Sequence, residues 1–259
     1  ALGFQIPEYA HLPLVLAPDK SKMSKRKGAV PVVEYLAKGY LPGALLNAIC
    51  MCGWNPGTEQ EIFSRAELEQ IFDLSKVQKA GAVFNEEKLN WFNREYIKKL
   101  DQKEFWGYAH HGLYGSIVND TEEHREILKK LELLIRERIN NFGEVKELFG
   151  RADGSMAGEF DYFFIEPKVD ESILPWKGDS LEVAYSHIKK VSELIGALDE
   201  SSWDIEHIKA SVWSYAEENG RGNVLWPFRV SLSGREKSPD PFQIAAILGK
   251  KETVKRLKK

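Results

Sequence analysis

The sequence predicts a mainly α-helical protein. Apolar residues recur at helical spacing through two long stretches, 120–139 and 180–198, with charged residues filling the intervals. Helix-start signals repeat along the chain: Ser64 stands three residues before Glu67, Asn85 precedes Glu86 and Glu87, and Ser201 stands three before Asp204. Alternating, strand-like patterning is scarce, and no fixed-period repeat stands out.

The stretch that organises the chain is 11–28, HLPLVLAPDKSKMSKRKG. Leu12, Leu14, Val15 and Leu16, interrupted by Pro13 and stopped by Pro18, read as an extended segment feeding a loop that turns at Asp19. His11 heads that segment as a packing or capping residue. Lys20, Lys22, Lys25, Arg26 and Lys27 then follow in quick succession. Lys22, Ser24, Lys25 and Arg26 offer ammonium, hydroxyl and guanidinium donors from one short loop, which suits a triphosphate or an RNA backbone. The competing reading of the same residues is a solvated basic loop.

A short helix is expected over 32–38, closed by Gly39. Pro42 sits where a first turn tolerates it, and Leu45, Leu46, Ile49 and Met51 give that second helix a broad apolar surface, with Gly53 at its end and 54–57 as a turn. The helix begun at Ser64 carries Leu68, Ile71 and Phe72. Asn85 caps another, with Phe84 and Leu89 as staple and Leu89, Phe92, Tyr96 and Ile97 as buried stripe, widened by Trp91. This leaves Asn93, Arg94, Lys98 and Lys99 for solvent or a polyanion.

The aromatic interval 101–119 reads as a domain junction, and its adjacent His110 and His111 lack the local partners a metal site needs. Asp120 and Glu123 open the longest helix, whose Glu126, Lys129, Lys130, Glu132, Arg136, Glu137 and Arg138 read as a solvated, salt-bridged face. Residues 150–179, rich in Gly and Pro around Phe160, Tyr162, Phe163 and Phe164, read as a helix turn and linker; Asp161, Glu166, Asp170 and Glu171 receive no catalytic role. Ser180 starts the next amphipathic helix, Ser201 with Asp204 another that ends near Gly220, Pro241 one stopped by Gly249, and 250–259 a last short one.

With 259 residues, 43% hydrophobic and 29% charged, the chain can bury a sizeable core, and disorder and membrane spanning are disfavoured. A net charge of -3 neither identifies nor excludes a nucleic-acid binder. Residues 1–58 carry six Lys/Arg against three Asp/Glu, a local +3 suited to a restricted electropositive face. Cys50 and Cys52, two apart on a helical stretch, are poorly aimed for a disulfide and too few for a metal site, so they read as buried thiols. No targeting or acylation motif is visible, and the initial Ala fits a processed or truncated chain.

KMSKR at 22–26 resembles the signature loop of class I aminoacyl-tRNA synthetases. Its surroundings narrow the resemblance to bacterial-type glutamyl-tRNA synthetase: the whole of 11–28, GYLPGALLNAICMCGW at 39–54, FNEEKLNWFNREYI at 84–97, PFRVSLSG at 227–234 and PFQIAAILGKKETVKRL at 241–257. It implies a C-terminal fragment that lacks the preceding nucleotide-binding domain and its HIGH-like motif. It implies a signature-loop and stem-contact region at 1–104, then an all-helical anticodon-binding cage in two subdomains, 105–170 and 171–259.

The resemblance makes Lys25 the residue touching ATP, with Lys22 and Arg26 orienting loop and phosphates and Ser24 holding its shape. The intact enzyme would join glutamate and ATP, with Mg2+, into glutamyl-adenylate and transfer the glutamyl group to the 3' end of tRNA(Glu); the fragment alone would be inactive in aminoacylation. A cytoplasmic monomer with no structural metal and no membrane partner is implied. RNA contacts are expected at Arg94, Trp226, Arg229 and Arg235, with Trp226 beside Pro227 also readable as core. The alternative is a noncatalytic helical module that binds RNA or protein.

Overall fold

A computed structural model describes residues 3–5, 7–24 and 30–258. Among the described residues two two-residue strands, β1 (Val15–Leu16) and β2 (Ala82–Val83), accompany twelve α-helices: α1 (Val32–Ala37), α2 (Pro42–Met51), α3 (Arg65–Ile71), α4 (Glu86–Lys99), α5 (Gln102–Leu113), α6 (Glu122–Arg138), α7 (Val145–Phe149), α8 (Leu181–Gly196), α9 (Ile205–Asn219), α10 (Arg221–Ser233), α11 (Pro241–Leu248) and α12 (Lys250–Leu257). The predicted mainly helical class is what the protein adopts. Among the described residues no helix is long and apolar enough to cross a membrane. The chain forms two compact units, Ala1–Tyr114 with Ile135–Val145, and Gly115–Leu134 with Lys146–Lys259.

In the first unit α2 packs on α4, and Tyr35, Tyr40, Leu45, Ala48, Leu89 and Phe92 form the core. The caps expected from sequence are built. Ser64 Oγ accepts from Glu67 N at 3.2 Å while Glu67 Oε2 accepts from Ser64 N at 2.6 Å, and Asn85 Oδ1 accepts from Lys88 N at 3.0 Å. Each satisfies a backbone donor that the first helical turn leaves without a partner. α2 corrects the expected apolar surface: its buried residues are Ala44, Leu45, Asn47 and Ala48, while Leu46 and Ile49 are exposed. Asn47 belongs inside because its amide ties down the 61–63 segment, donating to Glu61 O at 2.9 Å and accepting from Phe63 N at 2.8 Å.

The aromatic interval 101–119 holds α5, capped by Asp101 with Glu104 and buried through Phe105 and Ala109, and the boundary between the two units falls within it, after Tyr114. Two further expectations change in this unit. Asn93 is fully buried, accepting from Leu41 N at 2.8 Å and donating to Asn140 O at 2.6 Å, so it joins α4 to two turns rather than facing solvent. Arg136 is buried too, donating to the Ile97 carbonyl with its guanidinium 4.1 Å from the Phe105 ring centroid. Helical period places a charge on a face, but a long side chain can still reach back into the core.

The 142–143 turn is held by Phe142 N to Gly39 O, 3.0 Å, and Gly143 N to Lys38 O, 3.1 Å. Gly39 has φ +88°, and a Cβ there would lie 2.5 Å from Gly143 N, so both its conformation and its neighbour exclude a side chain.

In the second unit α10 packs against α8, α9, α11 and α12. Val224, Phe228, Val230 and Leu232 of α10 are fully buried, as are Val191 and Ile195 of α8 and Ile208, Val212 and Ala216 of α9. α10 contains Pro227 within the helix, a residue that argues locally against one. The 150–179 stretch is more than a linker: Phe160, Tyr162 and Phe163 are buried core residues around a short 3-10 turn at Asp161–Phe163. The cap of α9 is Asp204 itself, accepting from His207 N at 2.9 Å, rather than a Ser201 box, because 200–202 form their own 3-10 turn. Gly220 ends that helix at φ +90°, and α11 and α12 begin and end close to where Pro241 and Gly249 marked them.

Candidate functional site

β1 and β2 pair in parallel, Val15 opposite Ala82 and Leu16 opposite Val83, and Phe84 N donates to Leu16 O at 3.0 Å. From this anchor the chain doubles back. Lys20 N donates to Ala17 O at 2.8 Å, Ala17 N donates to Ser21 O at 2.9 Å, and Leu16 and Lys22 form an antiparallel bridge. Asp19 Oδ1 accepts from both Ser21 N, 2.9 Å, and Ser21 Oγ, 2.5 Å. Lys20 takes φ +62°, a left-handed conformation that the surrounding hydrogen bonds impose on a non-glycine residue.

The result is a tight hairpin that carries Lys20 and Lys22. Lys22 is exposed at its foot, and among the described residues its ammonium has no acceptor; Ser24 follows half-buried. Lys25 and Arg26 lie outside the described residues. An ammonium already in water loses little hydration when it meets an anion, so Lys22 can neutralise a phosphate at small cost.

The other predicted residues are placed differently. Arg94 of α4, in the first unit, is half-buried and donates from Nη1 to Asn140 Oδ1 at 2.6 Å. Trp226, Arg229 and Arg235 belong to the second unit. Trp226 Nε1 donates to Ile173 O at 2.8 Å, and its ring lies 4.8 Å from that of Trp176 and 4.7 Å from the Arg229 guanidinium. Arg229 Nη2 donates to Glu236 O at 2.6 Å, while Arg229 Nε is buried with no hydrogen-bond partner among the described residues. Arg235 Nη2 donates to Gly158 O at 2.6 Å and pairs with Asp161 Oδ1 at 2.7 Å.

So Trp226 and Arg229 share one stacked group, and Arg235 is bound into the turn that carries Phe160 and Tyr162. Sequence reasoning missed Trp176 and Lys177. Lys177 Nζ sits 4.8 Å from the Trp176 ring, extending the same alternation of cations and indoles, but fifty residues of chain separate Trp176 from Trp226 and no local spacing connects them. Cys50 and Cys52 are half-buried free thiols, and burial pushes both above the ordinary thiol range.

Residues 87–259 match the anticodon binding domain family, and residues 1–91 match the catalytic domain of the class I tRNA synthetases (E and Q). The whole chain aligns with the glutamate–tRNA ligase of Clostridium botulinum strain Eklund 17B, 33% identical, over 51% of that protein, and with that of Clostridium novyi, 36% identical, also over 51%. Among solved structures, 99% of the chain superposes on 52% of a glutamate tRNA ligase from Elizabethkingia meningosepticum in complex with its amino acid, with TM-score 0.76 and 31% identity. A glutamate-tRNA synthetase from Elizabethkingia anophelis gives 0.73 and 29% over 51% of its length. The chain therefore spans about half the length of the relatives it matches. With the two family matches together covering the chain and all of it aligning with these ligases, this chain belongs to the bacterial-type glutamyl-tRNA synthetase family.

Proposed function

We propose that this chain is the tRNA-binding part of a glutamate–tRNA ligase whose whole form activates glutamate with ATP and transfers it to the 3' end of tRNA(Glu). The observation that carries the reading is that the alignments with such ligases take in 100% of the chain, at 33% and 36% identity. In this reading 1–104 holds the signature loop and meets the acceptor side of the tRNA, and 105–170 and 171–259 grip the anticodon side. The 259-residue chain by itself binds tRNA and does not form adenylate.

Adenylate formation moves charge onto the pyrophosphate leaving group, and fixed cations next to it lower the barrier. Lys25 contacts ATP, Lys22 and Arg26 orient the loop and the phosphates, and Ser24 holds the loop's shape. The hairpin through Asp19 and Lys20 fixes where that loop starts, which supports its use as a positioned arm. Mg2+ would enter with the ATP phosphates and screen their charge. Among the described residues no group of three His, Cys, Asp or Glu side chains converges, so none is assigned to that ion.

Unstacked anticodon bases need donors and flat cationic or aromatic platforms. Arg229 on Trp226 supplies both, and Arg235 and Arg94 contribute through the turns they hold. The test is titration of the folded 259-residue chain with tRNA(Glu) and with an unrelated tRNA. Binding should weaken steeply between about 50 and 200 mM salt, as counterion release requires. A folded chain that fails to bind tRNA(Glu) at the lower salt overturns the proposal.

A further inference from the structure

The second unit contains a recess of about 400 Å³ whose apolar walls are Pro167, Val169, Leu174, Ile188 and Leu257, and whose polar lining includes Arg256 and Ser231. The Arg256 side chain is 4% exposed. Its Nε donates to Glu252 Oε1 at 2.9 Å and its Nη1 to the carbonyls of Tyr162, 2.8 Å, and Leu232, 2.7 Å. Among the described residues nothing accepts from Nη2, and that nitrogen is not sealed off. It keeps its open surface on a side chain that lines the recess.

Ser231 makes a second, independent case. It immediately precedes Leu232 on α10, so it adjoins the carbonyl that Arg256 grips. The residue is buried, lines the same recess, and its hydroxyl has no partner among the described residues. Two donors with no acceptor among the described residues belong to side chains lining one apolar-walled space, and a guest carrying an acceptor can replace the water that reaches them.

We propose that this recess binds a small apolar carboxylate, its oxygens received by Arg256 Nη2 and Ser231 Oγ and its hydrocarbon part by Leu174, Ile188 and Leu257. Arg256 Nε and Nη1 are already engaged, so the bidentate fork that clamps a phosphate is unavailable. One nitrogen and one hydroxyl match the two oxygens of a carboxylate. Both acidic side chains at the rim have partners: Glu166 pairs with Lys255 at 2.9 Å, and Glu171 accepts from Tyr185 OH at 2.7 Å. Lys168, exposed at the same rim, adds attraction for an anion. The volume lies within the range of small-molecule sites. None of these residues belongs to the signature loop or to the Trp226 and Arg229 stack, so the site stands apart from the reading above.

The test is methyl NMR of the full 259-residue chain titrated with benzoate, with benzamide as the uncharged counterpart and with inorganic phosphate. Benzoate should give saturable shifts at Leu174, Ile188 and Leu257 methyls, with benzamide and phosphate at least about tenfold weaker. Ser231→Ala should weaken benzoate about tenfold, and Val169→Phe, which narrows the recess from its loop side, should abolish binding. Both variants keep the guanidinium, and an unchanged Tm shows that they fold. The proposal is overturned by the absence of saturable shifts up to about 10 mM benzoate, by equal affinity for benzamide, or by unchanged benzoate affinity in both variants.

Discussion

Lys22 stands exposed at the foot of a hairpin, its ammonium without an acceptor among the described residues, whereas Arg235 through Nη2, and Arg256 through Nε and Nη1, donate to carbonyl and carboxylate oxygens inside the second unit. The formal charge is the same and the consequence is opposite. A cation kept in water is available to an incoming polyanion; a cation wrapped in carbonyls is part of the fold and acts on RNA only through the surface it holds in place. Basic residues in one chain thus divide into those whose removal should change binding and those whose removal should change stability. Substitutions can break that division or sharpen it.

The largest effect is expected at Arg256. Arg256→Ala removes hydrogen bonds to the Tyr162 and Leu232 carbonyls and leaves Glu252 without its buried partner, a loss of about 3–5 kcal/mol in urea unfolding. A loss under about 1 kcal/mol would mean that the guanidinium is replaceable by water.

Next is the loop. In the whole ligase, Lys25→Ala should slow ATP–pyrophosphate exchange about 100- to 1,000-fold, the effect of removing one donor from a charge-stabilising site. In the proposed role the unfolding midpoint should move little, because a cation that serves a phosphate contributes little to folding. A parallel drop in both readouts would make Lys25 a fold residue and erase the contrast with Arg256.

Arg235 tests the middle of the range. Its ion pair with Asp161 joins side chains that are 32% and 14% exposed, so Arg235→Ala should cost about 1–2 kcal/mol in unfolding. Lys22→Ala should cost less than about 0.5 kcal/mol while lowering the salt dependence of tRNA binding by about one unit of slope. Finding the stability loss at Lys22 and the salt effect at Arg235 would reverse the assignment.

The smallest effect concerns pH. His187 is buried on α8 with Nδ1 2.8 Å from Tyr215 OH on α9, and burial pushes its imidazole below the usual histidine value despite the nearby Asp179 carboxylate. The unfolded chain therefore takes up the proton first as pH falls. Stability contributed by neutral His187 is fully present above about pH 6.5 and declines below it, until the folded form is protonated as well. His187→Gln should flatten that acid limb in denaturation profiles collected from about pH 7.5 down to about pH 5. An unchanged limb would place the proton uptake elsewhere.

Local chemistry carried much of the fold. Ser64, Asn85 and Ser180 start helices where their side chains promised, since a cap is decided within three residues of backbone. Gly220 and Gly249 stop them for an equally local reason. α5 is less legible although Asp101 and Glu104 form the same kind of box as Ser64 and Glu67, because its aromatic and glycine content masks the helical period. α10 escaped because Pro227 argues locally against a helix that tertiary packing against α8, α9, α11 and α12 sustains.

The run of cations after a proline-stopped apolar segment is visible in twenty residues of sequence, and its family resemblance extends through the chain. The fates of Asn93, Arg136 and Arg229 are not visible there. Asn93 and Arg136 are polar by type and sit on elements whose period allows an outward face, yet each is drawn inward by a carbonyl or ring far away in sequence, and Arg229 is held by the Trp226 ring and the Glu236 carbonyl just beyond its own helix. The sequence by itself determined helix starts, helix stops and the positions where charge gathers, because those depend on neighbours within one turn. Only the tertiary structure decided which charges remain in water, because a donor's partner is chosen by what folding brings within 3 Å, and sequence distance carries no information about that.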